Sequence, residues 1–388
     1  MNSGQERGTI LCLTFNDFPN KDAGSVRLLA LTKALTKIGH TIKVISMGKN
    51  AINGWQQLDD DVYHMSVRNT MNGKISLLKS YLKFNTYVNR EIDEIDDLKA
   101  VFAFNTMFYV FDNRRLKKLG VPLVYDSTEW YNACEFRQGI FSPEYISNSL
   151  IVKQKMRKPW RVIAISRLLE EHYRKKGLQV KKIPAVMDVE AFPHSEYVPS
   201  EKIKIVYAGS PGKKDALYMI IQGLASLASN KKNIFELRII GATREQFVEQ
   251  NEAQEIPDNV LFFGRVPRER VLEELSTADF TTFLRDNKLR FVNAGFPSKL
   301  AESMSMGVPV ITNLTSDLAD YLSDGNDAII VEGFTSKDYA SALIKVSEMP
   351  KEKIVEMHEK AKKTAIECFD YSNYVEDLET LIIGEVTK

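Results

Sequence analysis

Short apolar segments alternate with helical segments along most of this 388-residue chain. The first case is an apolar run at 9–15, a turn-rich loop, apolar residues spaced for one helix face at 28, 31, 35 and 38, and a second apolar run at 41–47. Apolar runs of this length are typical of buried strands, and a strand–helix–strand crossover joins parallel strands. The pattern therefore predicts an α/β protein built on parallel sheets.

The alternation occurs twice. It stops in a stretch of low periodicity that contains Pro193 and Pro199, and it starts again with an apolar run at 203–208. Because such stretches join domains, we predict a first domain at 1–195 and a second at 196–368. Both are expected to be doubly wound and Rossmann-like. Sheets of this kind bind ligands at the carboxyl ends of their strands, so we expect the ligands in a central cleft that the two domains face.

Charge and composition exclude several classes of protein. The chain has 52 Lys+Arg and 51 Asp+Glu, a formal net charge of +1, which argues against a dedicated nucleic-acid binder. It has no run of about 18 apolar residues to span a membrane as a helix, and its N-terminus is not typical of a secretory signal. Cys12, Cys134 and Cys368 lie far apart, which argues against a structural zinc site and indicates a reducing compartment. We therefore expect a cytoplasmic protein.

The familiar nucleotide and metal motifs are absent from the sequence. There is no GxGxxG after the first apolar run, no GxxxxGK[ST] and no HExxH, and the five histidines lack metal-ligand spacing. Asp59, Asp60 and Asp61 are consecutive and could serve as metal-binding carboxylates. No strong strand precedes them, so a solvated acidic turn is the favoured interpretation. We therefore predict no metal site.

Two loops have the composition of anion-binding sites. Gly24 and Ser25 begin the first helix, where free N–H groups and the helix dipole favour an anion. A helix cap formed by Ser25 explains this loop equally well. The second loop starts at Gly209 and contains Lys213 and Lys214. Cations beside flexible backbone at a strand end favour anion binding over a simple polar loop.

A third segment, 295–311, combines a helix start with a carboxylate. Pro297 and Ser298 open a short helix whose N–H groups can face a pyrophosphate. Glu302 lies about one turn inside this helix, where it is placed to accept hydrogen bonds from the two hydroxyls of a ribose. A surface carboxylate near the helix dipole is the alternative interpretation.

These motifs resemble the GT-B-fold retaining glycosyltransferases known as family 4, or glycosyl transferases group 1. That family binds its nucleotide-sugar donor with a segment Glu-Gly-Phe-Gly-x-x-x-x-Glu, followed by Ala-Met-Ala-x-Gly-x-Pro-Val-Ile. Gly295-Phe296, Glu302 and 307–311 match this segment in register. Further matches, which extend the resemblance over nearly the whole chain, lie at 163–166, 183–184, 207–209, 263–265 and 369–374. The last of these looks like the family's return helix, and it places 369–388 on the first domain.

The resemblance implies which residues act on the donor. Catalytic roles fall on Glu129, Lys214 and Glu302. Glu129 is included because it follows a strand of the first domain, where related enzymes often carry a histidine or an acidic residue. A capped surface turn explains this segment equally well. The residues expected to bind the donor are Gly24, Ser25, Gly209, Ser210, Lys213, Arg265, Arg285, Phe296, Pro297, Ser298, Lys299 and Leu300.

The sequence departs from the family at two positions. Ala294 stands where the family has the first glutamate of the segment, which usually contacts the donor sugar. Ser210 stands where a phosphate-binding arginine is frequent, although Lys214 matches the lysine that accompanies it. The cations that could supply the missing charge are Lys213, Arg265 and Arg285.

The resemblance implies transfer of a sugar, with retention at the anomeric carbon, from a nucleoside-diphosphate sugar to a glycan or lipid-linked acceptor. The expected donor is a UDP- or GDP-linked hexose, with no cofactor and no metal, and the expected setting is cell-envelope or capsular polysaccharide synthesis. Two alternatives stay open. One is a catalytically weak or inactive GT-B partner protein that binds an acceptor or an active glycosyltransferase, and the other is a nucleotide-sugar epimerase.

Residues 151–182 carry eleven Lys/Arg and two acidic residues. A surface of this composition suits anionic lipid headgroups, and it also suits a purely solubilising role. Peripheral contact with the inner face of a membrane therefore stays open as well.

Overall fold

The structure is a computed structural model that describes residues 7–19, 22–48, 50–68, 74–104, 113–153, 160–193, 197–209, 215–251 and 256–383. The chain forms two compact units. The first comprises Met1–Val186 together with Tyr371–Lys388, and the second comprises Met187–Asp370. The domain boundaries expected from the sequence, after residues 195 and 368, stay predictions.

The described strands of the first unit are β1 (Thr9–Thr14), β2 (Thr41–Gly48), β3 (Ile52–Asp59), β4 (Val62–Arg68), β5 (Leu98–Phe104), β6 (Leu123–Ser127), β7 (Trp160–Ala164) and β8 (Gln179–Lys182). They form one sheet in the order β3-β4-β2-β1-β5-β6-β7-β8. Every neighbouring pair is parallel except β3 and β4. The helices between them are α1 (Ala23–Lys37), α2 (Lys74–Glu94), α3 (Asn113–Leu119), α4 (Pro143–Lys153) and α5 (Arg167–Arg174).

Helix α1 shows how the sequence pattern forms the core of this unit. Leu28, Leu31 and Leu35 recur at helical spacing, and all three are buried in the core that includes the sheet. Strand β1 lies between β2 and β5 and is buried along its whole length. A central strand of a parallel sheet is covered on both faces, which explains why its sequence is a continuous apolar run.

The structure corrects the sequence analysis at β3, where no strand was predicted before the acidic turn. Ile52–Asp59 pairs antiparallel with β4 at the edge of the sheet. Most of its side chains are exposed, so the strand has no buried face and no apolar alternation to reveal it. Asp59, Asp60 and Asp61 are all exposed where the chain turns from β3 into β4.

The second unit contains β9 (Ile203–Ala208), β10 (Phe235–Ile240), β11 (Val260–Gly264), β12 (Phe280–Phe283), β13 (Val310–Thr312) and β14 (Ala328–Ile330). Their order is β11-β10-β9-β12-β13-β14, and all neighbouring pairs are parallel. The helices are α6 (Leu217–Ala225), α7 (Ser229–Lys232), α8 (Arg244–Asn251), α9 (Arg268–Ser276), α10 (Arg290–Ala294), α11 (Ser298–Ser305), α12 (Ser336–Ser347) and α13 (Lys351–Cys368). Two doubly wound units on parallel sheets confirm the predicted α/β, Rossmann-like fold class.

The last described helix, α14 (Val375–Ile383), belongs to the first unit. Leu378 and Leu381 are fully buried in the core that α1 and β1 also form. The buried Arg161 of β7 donates hydrogen bonds to the carbonyls of Leu381 (2.5 Å) and Ile382 (3.0 Å), which satisfies the end of the helix. Among the described residues, no helix is both long enough and apolar enough to pass through a lipid bilayer.

Candidate functional site

The chain changes direction across β9 in the second unit. Strand β10, the next in sequence, lies on one side of β9, and β12 lies on the other. Doubly wound sheets bind ligands at such a point, beyond the carboxyl ends of the strands. Asp215 follows β9 in the chain and Arg285 follows β12, so this edge of the sheet brings a carboxylate and a guanidinium together.

Asp215 is the centre of a cluster of charged and polar side chains, which we call the Asp215 cluster. Arg285 Nε lies 2.8 Å from Asp215 Oδ1, Lys299 Nζ binds Oδ2, and the hydroxyl of Tyr207 donates to Oδ2 at 3.1 Å. Side-chain exposure is 6% for Asp215, 12% for Arg285 and 20% for Lys299. Two cations share one carboxylate, so the cluster keeps a net positive charge in a largely buried place.

The protonation states in this cluster follow from its contacts. Burial acts to raise the pKa of the Asp215 carboxyl, but Lys299 and Arg285 outweigh it, and the net pKa is well below the ordinary value. Burial lowers the pKa of Lys299, with Arg285 adding to the shift and Asp215 opposing it. Burial and the adjacent Asp215 raise the pKa of Tyr207, which keeps its phenol protonated as a donor. Asp215 is therefore ionised at neutral pH.

Gly209 lies directly beside Lys299. A Cβ at this position would stand 2.8 Å from Lys299 Nζ, so glycine allows the ammonium group to approach the backbone at the end of β9. Ser210, Lys213 and Lys214 fall outside the described residues, and their predicted roles are not addressed by the structure. The two residues that flank this segment, Gly209 and Asp215, both contact Lys299.

Asn313 fixes the backbone that carries Arg285. Its Oδ1 accepts from the Arg285 N–H at 3.0 Å, and its Nδ2 donates to the Arg285 carbonyl at 2.8 Å. Asn313 is buried just after β13, which is parallel to β12. A two-point bond between neighbouring strand ends holds the start of the 285 loop, and so the root of the Arg285 side chain, in place.

Helix α11 begins as the sequence predicted. Pro297 is its N-cap, Ser298 its first residue, and Leu300 is fully buried. The Glu302 carboxylate on this helix binds Arg268, the first residue of α9, with Oε1 2.7 Å from the guanidinium nitrogen. The charge of Glu302 also acts on Lys299, whose pKa it raises against the effect of burial.

Phe296 and Ala294 are buried before α11. The Phe296 ring packs edge-on against Tyr321 (5.5 Å between centroids) and Phe369 (5.7 Å), so in the described residues its contacts are those of a core side chain. Ala294 is fully buried and offers no polar group to a sugar. Its neighbour Asn293 donates to the carbonyl of Asn287 at 2.6 Å. Arg265, the remaining predicted cation, is exposed after β11.

In the first unit, Gly24 and Ser25 form the start of α1. Asp22 is the N-cap, and its Oδ1 accepts from the Ser25 N–H at 2.8 Å, while Ser25 Oγ accepts from the Asp22 N–H at 3.0 Å. A Cβ on Gly24 would lie 2.2 Å from Asn16 Nδ2, which explains the glycine by close packing. The turn is capped, but the prediction that Ser25 is the cap is wrong: Asp22 is the N-cap, and Ser25, the third residue of the helix, completes the capping box.

Glu129 lies in the loop after β6. Asn148 of α4 donates to the Glu129 carbonyl at 2.9 Å and accepts from the Tyr131 N–H at 3.0 Å, which ties this loop to the helix. At the end of β6, the buried Asp126 forms a two-point ion pair with Arg27 of α1, with both distances 2.9 Å. Arg27 also donates to the carbonyl of Ile183 at 3.1 Å, so it joins α1 to the end of β6 and to the segment after β8.

Of the predicted residues, the structure joins Gly209, Arg285 and Lys299 into one cluster, and it places Glu302 within electrostatic reach of it. Sequence reasoning did not assign a site role to Asp215, Asn313 or Arg268. The only signal for Asp215 was its position directly after two lysines in a strand-end loop. Within the described part of the chain, no set of three or more His, Cys, Asp or Glu side chains is grouped to hold a metal ion.

Comparison with known proteins identifies the family that the second half of the chain matches and the fold of the whole chain. Residues 188–366 match the family described as Glycosyl transferases group 1. Among solved structures, WaaG, a glycosyltransferase involved in lipopolysaccharide biosynthesis, aligns over 97% of this chain and 100% of its own, with 17% identity and a TM-score of 0.67. No curated protein sequence matches the chain.

Two other structures show the same fold. Anabaena HepE, solved in complex with UDP-glucose, aligns over 96% of this chain and 100% of its own, with 14% identity and a TM-score of 0.68. Sucrose-phosphate synthase from Thermosynechococcus elongatus aligns over 97% of this chain and 98% of its own, with 14% identity and a TM-score of 0.74. The predicted fold is confirmed: the chain has the two-domain Rossmann-like fold of GT-B glycosyltransferases, and its residues 188–366 match the glycosyl transferases group 1 family, as the resemblance implied. The assignment to family 4 and the retaining mechanism stay predictions.

Proposed function

We propose that the protein is a retaining glycosyltransferase that moves a sugar from a nucleoside-diphosphate sugar to a glycan or lipid-linked acceptor, in cell-envelope or capsular polysaccharide synthesis. The observation that carries this proposal is the Asp215 cluster. Within a group 1 domain, at the point of the sheet where ligands bind, two cations share a single carboxylate. A diphosphate is the anion that such a surplus of positive charge suits.

The chemistry needs this charge at the leaving group. Transfer breaks the bond between the anomeric carbon and a phosphate oxygen, and negative charge grows on the departing diphosphate. Preorganised donors at such a position typically contribute about 3 kcal/mol each to lowering the barrier. Arg285 and Lys299 are the described candidates, and Lys213 and Lys214 are the predicted ones. With these cations on the chain, we propose that the reaction needs no resident cofactor and no metal.

Retention follows when the acceptor attacks the face that the leaving group departs from. In the proposed step, the bond from C1 to the phosphate oxygen breaks as the bond from C1 to the acceptor oxygen forms. The proton of the acceptor hydroxyl passes to the departing phosphate. Glu302 is proposed to bind the ribose of the donor. Glu129 is the candidate in the first unit for a polar group that meets the donor sugar or the acceptor.

UDP-glucose is the first donor to test, because HepE was solved with it. Purified protein is incubated with a panel of UDP- and GDP-linked hexoses, with and without EDTA. Slow nucleotide release that persists in EDTA supports a metal-independent transferase. Conversion of the sugar without release identifies an epimerase. Binding without any turnover identifies a partner protein, the alternative that the fully buried Ala294 favours. The anomeric configuration of any product, read by proton NMR, tests retention.

An exposed apolar surface on α4 and just before it supports peripheral membrane contact. Phe141 is 76% exposed, and Ile140, Ile146 and Leu150 are also exposed. We call these four residues the apolar ridge. Ile146, Leu150 and the exposed Lys153 fall at offsets of four and seven, on one face of α4. A ridge of large apolar side chains with cations beside it suits the interface of an anionic bilayer.

Basic residues predominate in the segment that follows the ridge, 151–182. The carbonyl of Val152 near the end of α4 accepts hydrogen bonds from His172 (2.7 Å) and Lys176 (2.5 Å), which places the basic end of α5 next to α4. We propose that this surface lies on anionic lipid headgroups with Phe141 inserted. Anionic lipid is favoured over a protein partner because residues 151–182 carry eleven Lys/Arg and two acidic residues, an excess of positive charge that the acidic residue in the first turn of α4, Glu144, does not cancel.

Sedimentation with vesicles tests this contact. The double variant Phe141→Ser, Ile146→Ser should bind vesicles of anionic phospholipid at least about tenfold more weakly, since each buried side chain contributes roughly 1.5–3 kcal/mol. Ile366→Ser, which changes an exposed isoleucine of the second unit, should bind like the wild type. Equal binding by all three proteins, or none by the wild type, would exclude the proposed contact.

A further inference from the structure

The ion pair between Arg268 and Glu302 joins two helices that are separate in sequence. Arg268 is the first residue of α9, and Glu302 lies in the middle of α11. Their contact distance is 2.7 Å, and the side chains are 35% and 20% exposed. A pair this accessible to solvent adds little to folding stability. The pair includes the carboxylate proposed to bind the ribose, and this position points to a role in nucleotide binding.

We propose that Arg268 is a positioning residue, which aims the Glu302 carboxylate at the ribose hydroxyls of the donor nucleotide and so sets selectivity for a ribonucleotide. This inference rests on the proposed function. Arg268 acts through Glu302, and no direct contact between Arg268 and the sugar is required.

The geometry allows Glu302 to bind Arg268 and the ribose at the same time. The guanidinium nitrogen contacts Oε1, and an ionised carboxylate has about four lone-pair sites on its two oxygens. Glu302 can therefore accept from the ribose while Arg268 stays in place. A glutamate with no partner samples several rotamers, and holding it in one reduces the entropy lost when the nucleotide binds.

The charge balance gives a second reason for the pair. Glu302 lies close enough to the Asp215 cluster for its charge to affect Lys299. A carboxylate without a counter-ion there would repel the diphosphate that the cluster is proposed to hold. Arg268 offsets that repulsion, so the ribose-binding carboxylate of Glu302 and the diphosphate site can lie at one edge of the sheet.

Arg270, two residues further along α9, provides a matched control. Its guanidinium binds Glu273 and Glu274 on its own helix, so it has the same charge and a similar ion pair without contact to Glu302. Arg270→Gln therefore reports what the loss of an arginine from α9 does by itself.

The test is isothermal titration of the full-length protein with UDP, GDP and their 2′-deoxy forms. For the nucleotide that binds, Arg268→Gln should weaken affinity about tenfold. This is the effect expected when the charge-assisted hydrogen bond from the ribose to the Glu302 carboxylate is lost. The affinity for the 2′-deoxy form should fall clearly less, because that ligand is affected by the lost counter-charge but makes less use of the aimed carboxylate. Arg268→Lys should restore part of the selectivity, since it keeps the charge without the planar fork. Arg270→Gln should match the wild type.

The two possible failures can be told apart. If the wild type binds nucleotides and Arg268→Gln keeps the wild-type preference for ribose over 2′-deoxyribose, the inference is wrong and the proposed function stands. The same conclusion follows if Arg268→Gln weakens both ligands equally. If the wild type binds none of the four nucleotides, the proposed function is wrong and this inference falls with it.

Discussion

Asp215 determines the electrostatics of the candidate donor site, although it carries the wrong charge to bind a phosphate. It lies 70 residues before Arg285 and 84 before Lys299, and it binds both. Without it, two largely buried cations would face each other. The carboxylate therefore allows the fold to hold two positive side chains at one place, where both can bind an anion.

We predict that Asp215→Asn destabilises the second unit by about 3 kcal/mol, because it leaves buried cations without a counter-charge. For a domain of this size, the melting temperature should fall by roughly 6–12 °C. Calorimetry measures the loss. The matched control, Glu348→Gln, removes the partner of Lys231 in an exposed pair and should cost at most about 1 kcal/mol. Equal effects of the two substitutions would contradict the role given to Asp215.

A second residue-level prediction concerns pH and the first unit. His64 is buried and bonded to Ser46 Oγ at 2.8 Å, and burial lowers its pKa from 6.5 to about 4 against an opposing effect of Asp17. The folded state therefore takes up this proton less readily than the unfolded state, so stability is full above pH 6.5 and falls as the pH is lowered towards 4. Between pH 7 and pH 5 the loss from this one group should be about 2 kcal/mol.

Urea unfolding followed by tryptophan fluorescence measures this loss, because Trp55, Trp130 and Trp160 all belong to the first unit. His64→Gln removes the titrating group and should flatten the pH dependence between 5 and 7. An unchanged slope in the variant would show that other groups cause it.

At the residue scale, the sequence predicted side chains better than it predicted their partners. Lys299 and Arg285 could be chosen from the family resemblance, which covers the helix start and the strand end beside which they lie. The hydrogen bonds of Asn313 to Arg285 and the ion pair of Arg268 with Glu302 join residues 28 and 34 positions apart. No local pattern encodes such contacts, since they depend on which strands become neighbours in the sheet.

Helices and strands could be predicted where the signal is local in the sequence. Helix α11 begins at Ser298, after Pro297, where the capping signals predicted it. The helical segment that begins at Ser336 is divided into α12 and α13 at Pro350, the N-cap of α13. Proline lacks an N–H and restricts the residue before it, so the helix cannot run through this point. Strand β3 was missed because an exposed edge strand has no buried face.

The C-terminal helix α14 gives a prediction at the scale of one element. Leu381→Ala should destabilise the first unit by about 2–5 kcal/mol, because the side chain is fully buried in its core. Ile383→Ala, two residues away and 52% exposed, should cost well under 1 kcal/mol. Tryptophan fluorescence again reports the unfolding of this unit. Similar losses in the two variants would mean that α14 does not belong to the core.

At the scale of the whole molecule, the central claim is that the second unit holds the diphosphate of a sugar nucleotide at the Asp215 cluster. The doubly wound fold could be predicted from the alternation of apolar runs, and the family from spaced motifs in the second half. The acceptor could not, because it is expected to bind to loops of the first unit, and the sequences of these loops carry no comparable motif.

A crystal structure of the protein with bound UDP tests this claim most directly. We predict phosphate oxygens within hydrogen-bond distance of Arg285 and Lys299, with the ribose hydroxyls on Glu302. A nucleotide seated elsewhere, with the contacts of Asp215 unchanged and no phosphate near either cation, would contradict the account.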